Sequence, residues 1–159
     1  MIYFFDTDCS EHVVNSRIFG ICDDDNSEKA YTNKDDELKW IATVKNTNKR
    51  DITFTAIDNC INIDEGRRCD GMLTYGNSLF LIELKNKFRL KQNDGIEQLE
   101  STIKVLQENT DISEFNNKKA FLCNKKGKPF VTIQFELKKR FFDNTGGFKL
   151  DIQSEIVIK

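Results

Sequence analysis

The chain has 159 residues, 38% hydrophobic and 31% charged, with thirteen phenylalanines and a single proline. That supplies one well-filled core and excludes intrinsic disorder, and no apolar run reaches the length of a membrane helix. The formal net charge of −2 excludes a strongly basic nucleic-acid coat, yet it is uneven: residues 1–40 carry ten acids against four bases, and residues 41–159 carry sixteen against twenty.

A single domain spanning 1–159 is expected, soluble and cytoplasmic, since no charged–apolar–small pattern marks a signal peptide. The five cysteines, at 9, 22, 60, 69 and 123, include no C-x-x-C pair. Their odd number and scattered spacing predict reduced, mostly buried thiols, with neither a disulfide framework nor a zinc site.

In chain order, Ile2–Phe5 reads as a short strand and Ser10–Phe19 as a helix with Ser10 as its N-cap. His12, the only histidine, lacks a metal-spaced partner and is assigned no chemical role. Asp23–Ser27 and Asp35–Glu37 are acidic loops without the alternating ligands of a calcium loop. Leu38–Val44 and Ile52–Ile57 are rich in β-branched and aromatic residues and predict a hairpin across NTNKRD. Asp58 ends the second of these strands, either as a turn residue or as a third acid reaching the site described next. Arg67 and Arg68 occupy the following turn, where they are either ordinary surface charges or planar donor forks for phosphate.

The most informative stretch is Arg68–Gln98. Two apolar runs, Met72–Tyr75 and Leu79–Leu84, flank Gly76-Asn77, a dipeptide suited to a two-residue hairpin turn. With Tyr75 opposite Ser78, the register carries Asp70 to a position across from Glu83, and opposed residues share a face. Lys85, two residues on, lies on that face too. Glu83 interrupts an otherwise apolar strand, and two desolvated carboxylates repel unless one is protonated or a cation lies between them. Asp70 and Glu83, with the Leu84 carbonyl, suit Mg²⁺ or Mn²⁺; an ordinary cross-strand ion pair with Lys85 is the competing explanation.

Beyond the hairpin, Lys87, Arg89 and Lys91 alternate with Phe88 and Leu90, as a basic rim for a nucleic-acid backbone or as a solvated extension. Asp94 with Glu97 marks a helix start, followed by the apolar stripe Ile96, Leu99, Ile103 and Leu106, with Gln98 on its flank. Lys119–Cys123 should be a strand parallel to its predecessor. Phe130–Leu137 and Phe148–Ile158 alternate apolar and polar residues around a turn at Asp143–Gly147, predicting a C-terminal antiparallel hairpin with Lys138-Lys139-Arg140 as a basic cluster.

The order Asp70, twelve residues, then Glu83-Leu84-Lys85 resembles the motif of the PD-(D/E)XK phosphodiesterase superfamily, the restriction-endonuclease-like nucleases. The resemblance covers about residues 50–125. Cys69 stands where the motif has proline, and Thr102 where RecB-like members have tyrosine. The resemblance implies an α/β fold with a mixed central sheet flanked by helices, here with the added C-terminal hairpin. It implies that Asp70 and Glu83 bind Mg²⁺, that Lys85 is catalytic, and that Gln98 lies near the metal. Glu11 would supply the extra acid that the first core helix often contributes. The implied activity is metal-dependent hydrolysis of nucleic-acid phosphodiester bonds, with DNA as the expected substrate and Mn²⁺ as a substitute metal. No membrane partner is expected. The chain is short for a separate sequence-reading domain, so a homodimer or larger complex is expected. Two other classes remain open: a catalytically silent nuclease-fold subunit for binding or assembly, and a regulatory interaction protein whose Asp70, Glu83 and Lys85 form only ion pairs.

Overall fold

A computed structural model describes residues 2–24, 27–64, 66–86, 92–125 and 135–159. Its strands are β1 (Ser10–Val13), β2 (Ile18–Cys22), β3 (Tyr31–Asn33), β4 (Ala42–Lys45), β5 (Ile52–Ala56), β6 (Gly71–Tyr75), β7 (Ser78–Lys85), β8 (Asn117–Asn124), β9 (Lys149–Ile152) and β10 (Glu155–Val157). Among the described residues two α-helices join them: α1 (Gln92–Asn109) between β7 and β8, and α2 (Phe135–Asn144) before β9. The result is a mixed α/β fold built on two sheets, one in the order β1-β5-β6-β7-β8-β9 and one in the order β10-β4-β2-β3.

The predicted hairpin forms as read. Tyr75 pairs with Ser78, and the ladder runs back to Gly71 opposite Ile82. Gly76 takes φ +50°, the positive value that the first central position of such a turn favours. β7 and β8 pair in parallel, as the crossover through α1 requires. The stripe Ile96, Leu99, Ile103 and Leu106 is buried as expected, and each side chain contributes about 1.5–3 kcal/mol by leaving water. These residues meet Met72, Leu79, Leu81, Ala120 and Leu122 on one face of the larger sheet. The opposite face, with Phe54, Leu73, Phe80, Ile82 and Phe121, packs on Phe19, Ile21, Val44 and Ile156 of the smaller sheet.

Four expectations about secondary structure fail. Ser10–Phe19 is not a helix: β1 and β2 occupy its ends, and Asn15 between them takes φ +57°, which no helix accommodates. Ser10 is no helix N-cap: it closes the 3-10 turn Thr7–Cys9, and its hydroxyl donates to the Asp6 carbonyl and bonds the Thr55 hydroxyl across the strand pair. Ile2–Phe5 is not a strand either, but packs Phe4 into the core and stacks Phe5 on Phe115.

Strands β4 and β5 exist but form no hairpin, because they belong to different sheets. The connection is held by Asn46, whose amide donates to the Ser16 and Arg50 carbonyls and accepts the Arg50 N–H. At the C-terminus, residues 130–134 lie outside the described residues, and Phe135–Leu137 open α2. The four-residue spacing of Leu137 and Phe141 turns both toward the core, and this prevails over the strand-like alternation. β9 then joins β8 in parallel, and β10 crosses to pair in parallel with β4, so the antiparallel C-terminal hairpin does not form.

Cys9 and Cys60 form a disulfide, contrary to the prediction of thiols alone, while Cys22, Cys69 and Cys123 are free and buried. The antiparallel pairing of β1 with β5 brings together the 3-10 turn that ends at Cys9 and the turn that carries Cys60, which are far apart in sequence. Such a bond persists in oxidising surroundings and is uncommon in a reducing cytosol. Denatured but unreduced protein should show three reactive thiols; five would contradict the crosslink. The loop of 51 residues implies that Cys60→Ala lowers stability by about 4 kcal/mol on the chain-entropy relation, measurable as a shifted urea midpoint.

Candidate active site

The site forms where β6 begins and β7 ends. The backbone of Cys69 and Asp70 extends the ladder beyond β6, since the Ile57 N–H donates to the Asp70 carbonyl and the Asp58 N–H to that of Cys69. Asp70 therefore faces Glu83, and its Oδ2 accepts the Leu84 N–H at 2.6 Å. Glu83 is 1% exposed. Neither of its carboxylate oxygens receives a hydrogen bond from an N–H or hydroxyl donor. The Lys85 ammonium stands 3.2 Å from Oε2, an ion pair outside hydrogen-bonding alignment.

The electrostatics follow from this crowding. Burial first, and then the charge of Glu83, push the Asp70 carboxyl well above the usual carboxylate range. Burial also raises Glu83, opposed by its contact with Asp70 and by Lys85. Two such groups titrate as a pair. Without a cation, the pair is satisfied when Asp70 keeps a proton and donates it to Glu83.

Gln98 is brought to the site as expected. Its Oε1 accepts from Lys85 Nζ at 2.8 Å, and its Nε2 donates to the Arg68 carbonyl at 3.3 Å. One residue that anchors this arrangement was noted in the sequence only as a departure from a tyrosine pattern. The buried Thr102 hydroxyl accepts the Cys69 N–H at 2.8 Å and donates to the Gln98 carbonyl at 2.9 Å, tying α1 to the residue before Asp70. Gly95 helps the helix approach: a Cβ there would lie 2.6 Å from Leu122 Cδ1, and Leu122 pairs with Glu83.

Other candidates are placed differently. Asp58 lies close enough to raise Glu83 further, but it pairs with Arg68 at 3.3 Å. Arg67 pairs with Asp94 and Glu97, so both arginine forks hold carboxylates. Glu11 is not part of the site. It stands on β1 opposite Phe54, on the face turned to the smaller sheet, and accepts from the Thr32 N–H and hydroxyl. The cause is the missing helix: in an edge strand, side-chain alternation sends Glu11 away from the α1 face. Lys87, Arg89 and Lys91 lie outside the described residues. Among the described residues no group of three or more His, Cys, Asp or Glu side chains converges as a metal cage. The available donor set is thus two carboxylates and backbone, which suits a hard divalent cation that keeps much of its water.

No family model, curated protein or solved structure matches this chain. Among the described residues no helix is long and apolar enough to cross a membrane.

The raised pair gives a signed pH dependence. Both carboxyls bind protons more tightly in the folded protein, so their contribution favours folding below the unfolded values near pH 4 and is lost as pH rises through the folded ones. In cation-free buffer Glu83→Gln should therefore raise stability at pH 7, by about 0.5–2 kcal/mol, and flatten the decline from pH 4 to 7 in urea unfolding. A purely structural ion pair with Lys85 would give the reverse, a loss at pH 7.

Proposed function

We propose that this chain is a divalent-cation-dependent phosphodiesterase of PD-(D/E)XK type, with a restriction-endonuclease-like fold, that hydrolyses nucleic acid, with DNA as the expected substrate. One observation carries the proposal: the Glu83 carboxylate, 1% exposed in an otherwise apolar strand, faces Asp70 across the hairpin with the Lys85 ammonium 3.2 Å away. Such a group is destabilising in a structural role and useful in a catalytic one.

Asp70 and Glu83 would hold Mg²⁺ or Mn²⁺, assisted by the Leu84 carbonyl. The bound cation would lower the pKa of water and offset charge on the phosphate. Lys85, held by Gln98 Oε1, presents an ammonium beside the carboxylates, where it orients a nonbridging phosphate oxygen and offsets the charge that grows there. Gln98 fixes that ammonium and, through its other end, the Arg68 carbonyl. Thr102 holds the helix and the Asp70 strand at a constant separation, which preserves this geometry. The mixed sheet, with α1 lying across the Asp70–Glu83 face, is the frame that such a site uses.

An assay on single- and double-stranded DNA and RNA, with Mn²⁺ and with chelator, tests this. Cleavage should require the cation, and Lys85→Ala should reduce it by at least about 100-fold with an unchanged fold. Full Mg²⁺-dependent activity in Lys85→Ala, or none in the wild type, would contradict the proposal.

A further inference from the structure

At the far edge of the larger sheet, α2 and β9 border a groove of about 460 Å³ whose lining includes Lys119, Lys138, Lys139, Lys149, Phe135 and Phe142. We propose that this groove binds single-stranded nucleic acid, with phosphates on the lysines and bases stacked on the two phenylalanine rings. The choice of nucleic acid rests in part on the phosphodiesterase reading of the Asp70–Glu83 site; the groove supplies the rest.

Its charge is only partly offset within the protein: the Lys119 ammonium lies 5.8 Å from the centroid of the Phe80 ring, and Lys138 pairs with Asp151. Lys119 and Lys149 are direct partners in the parallel β8–β9 ladder, so two lysine side chains leave adjacent strands on one face. Like charges so placed repel. Asp151 is the acid lining the groove, and it reaches Lys138 only at 3.9 Å. A polyanion lying across Lys119, Lys139 and Lys149 removes that repulsion.

The aromatic residues select among polyanions. Phe135 is 79% exposed and Phe142 43% exposed, although α2 has a core-facing side, occupied by Phe141. Seven residues separate the two rings, which is two helical turns or about 10 Å, so they lie on the same side of α2. Flat rings open to water beside lysines offer stacking to unpaired bases, whereas the carboxylates of an acidic peptide gain nothing from them.

The groove lies apart from the carboxylate site: Lys119 and Lys149, in register with Phe80, stand on the face of the larger sheet opposite Glu83. Ile152 is level with Glu83 through Leu122, and two strand spacings, about 10 Å, separate β9 from β7. Lys149 lies three residues earlier, roughly another 10 Å along the strand. A bound strand would contact the protein there some distance from the cut bond.

The test is fluorescence anisotropy of the full chain with a labelled oligothymidine in chelator, where no cleavage interferes. Binding is expected, and Phe135→Ala and Phe142→Ala should each weaken it about fivefold or more. Lys119→Ala with Lys149→Ala should reduce the slope of log affinity against log salt by about 1.4. Circular dichroism on each variant checks the fold. Three results would overturn the proposal: no binding, affinity indifferent to both phenylalanines, or displacement by polyglutamate as effective as by unlabelled oligonucleotide, which would mark an acidic-protein surface. Cation-dependent cleavage by the wild type is scored separately. Cleavage with groove variants that bind normally refutes only the groove, and binding without cleavage refutes only the hydrolase.

Discussion

Two carboxylates held at one desolvated end of a β-hairpin cannot both ionise in isolation, and the local structure depends on that constraint. The two-residue turn at Gly76-Asn77 fixes the register, and the register leaves Asp70 and Glu83 no choice of partner. Lys85 offsets part of the charge, and burial raises both carboxyls toward their neutral forms. A fold that tolerates this arrangement must hold it from outside. Here the hold comes from α1, through Gln98 to Lys85 and through Thr102 to the backbone of Cys69.

The two-sheet core gives that hold its stiffness. The larger sheet is covered by α1 on one face and by the smaller sheet on the other, so β7 is buried along nearly its whole length. A close-packed interior on both sides allows little adjustment of strand position. Glu83 is thereby fixed in an apolar strand that would be more stable with a hydrophobic residue in its place. Its presence there is the feature for which the proposed cation-dependent phosphodiester chemistry would give a physical reason.

Much of the site was legible in the sequence because it depends on short-range rules. A Gly-Asn turn, strict strand alternation and a four-residue helical stripe are local, and from them Asp70, Glu83, Lys85 and Gln98 came out together. The misses were non-local. Nothing between Ser10 and Phe19 announces that β1 will pair with β5, some forty residues away, and Glu11 followed the wrong face as a result. The Cys9–Cys60 bond has the same origin, since only the strand pairing brings its turns together. Alternation in the C-terminal third was ambiguous in a different way. Around Phe135 it concealed a helix, and after Phe148 it described two real strands that part company at Ser154, whose carbonyl accepts from Thr43 in the smaller sheet. Thr102 was visible, but its role emerges only once α1 is docked on the sheet beside Cys69.

The central claim is that Asp70 and Glu83 together form a cation site, and calorimetric titration of Mn²⁺ into the full chain tests it most directly. Saturable binding in the wild type that disappears in Asp70→Asn is the predicted result. No binding heat, or the same binding in Asp70→Asn, would reduce the pair to a buried structural cluster and contradict the account.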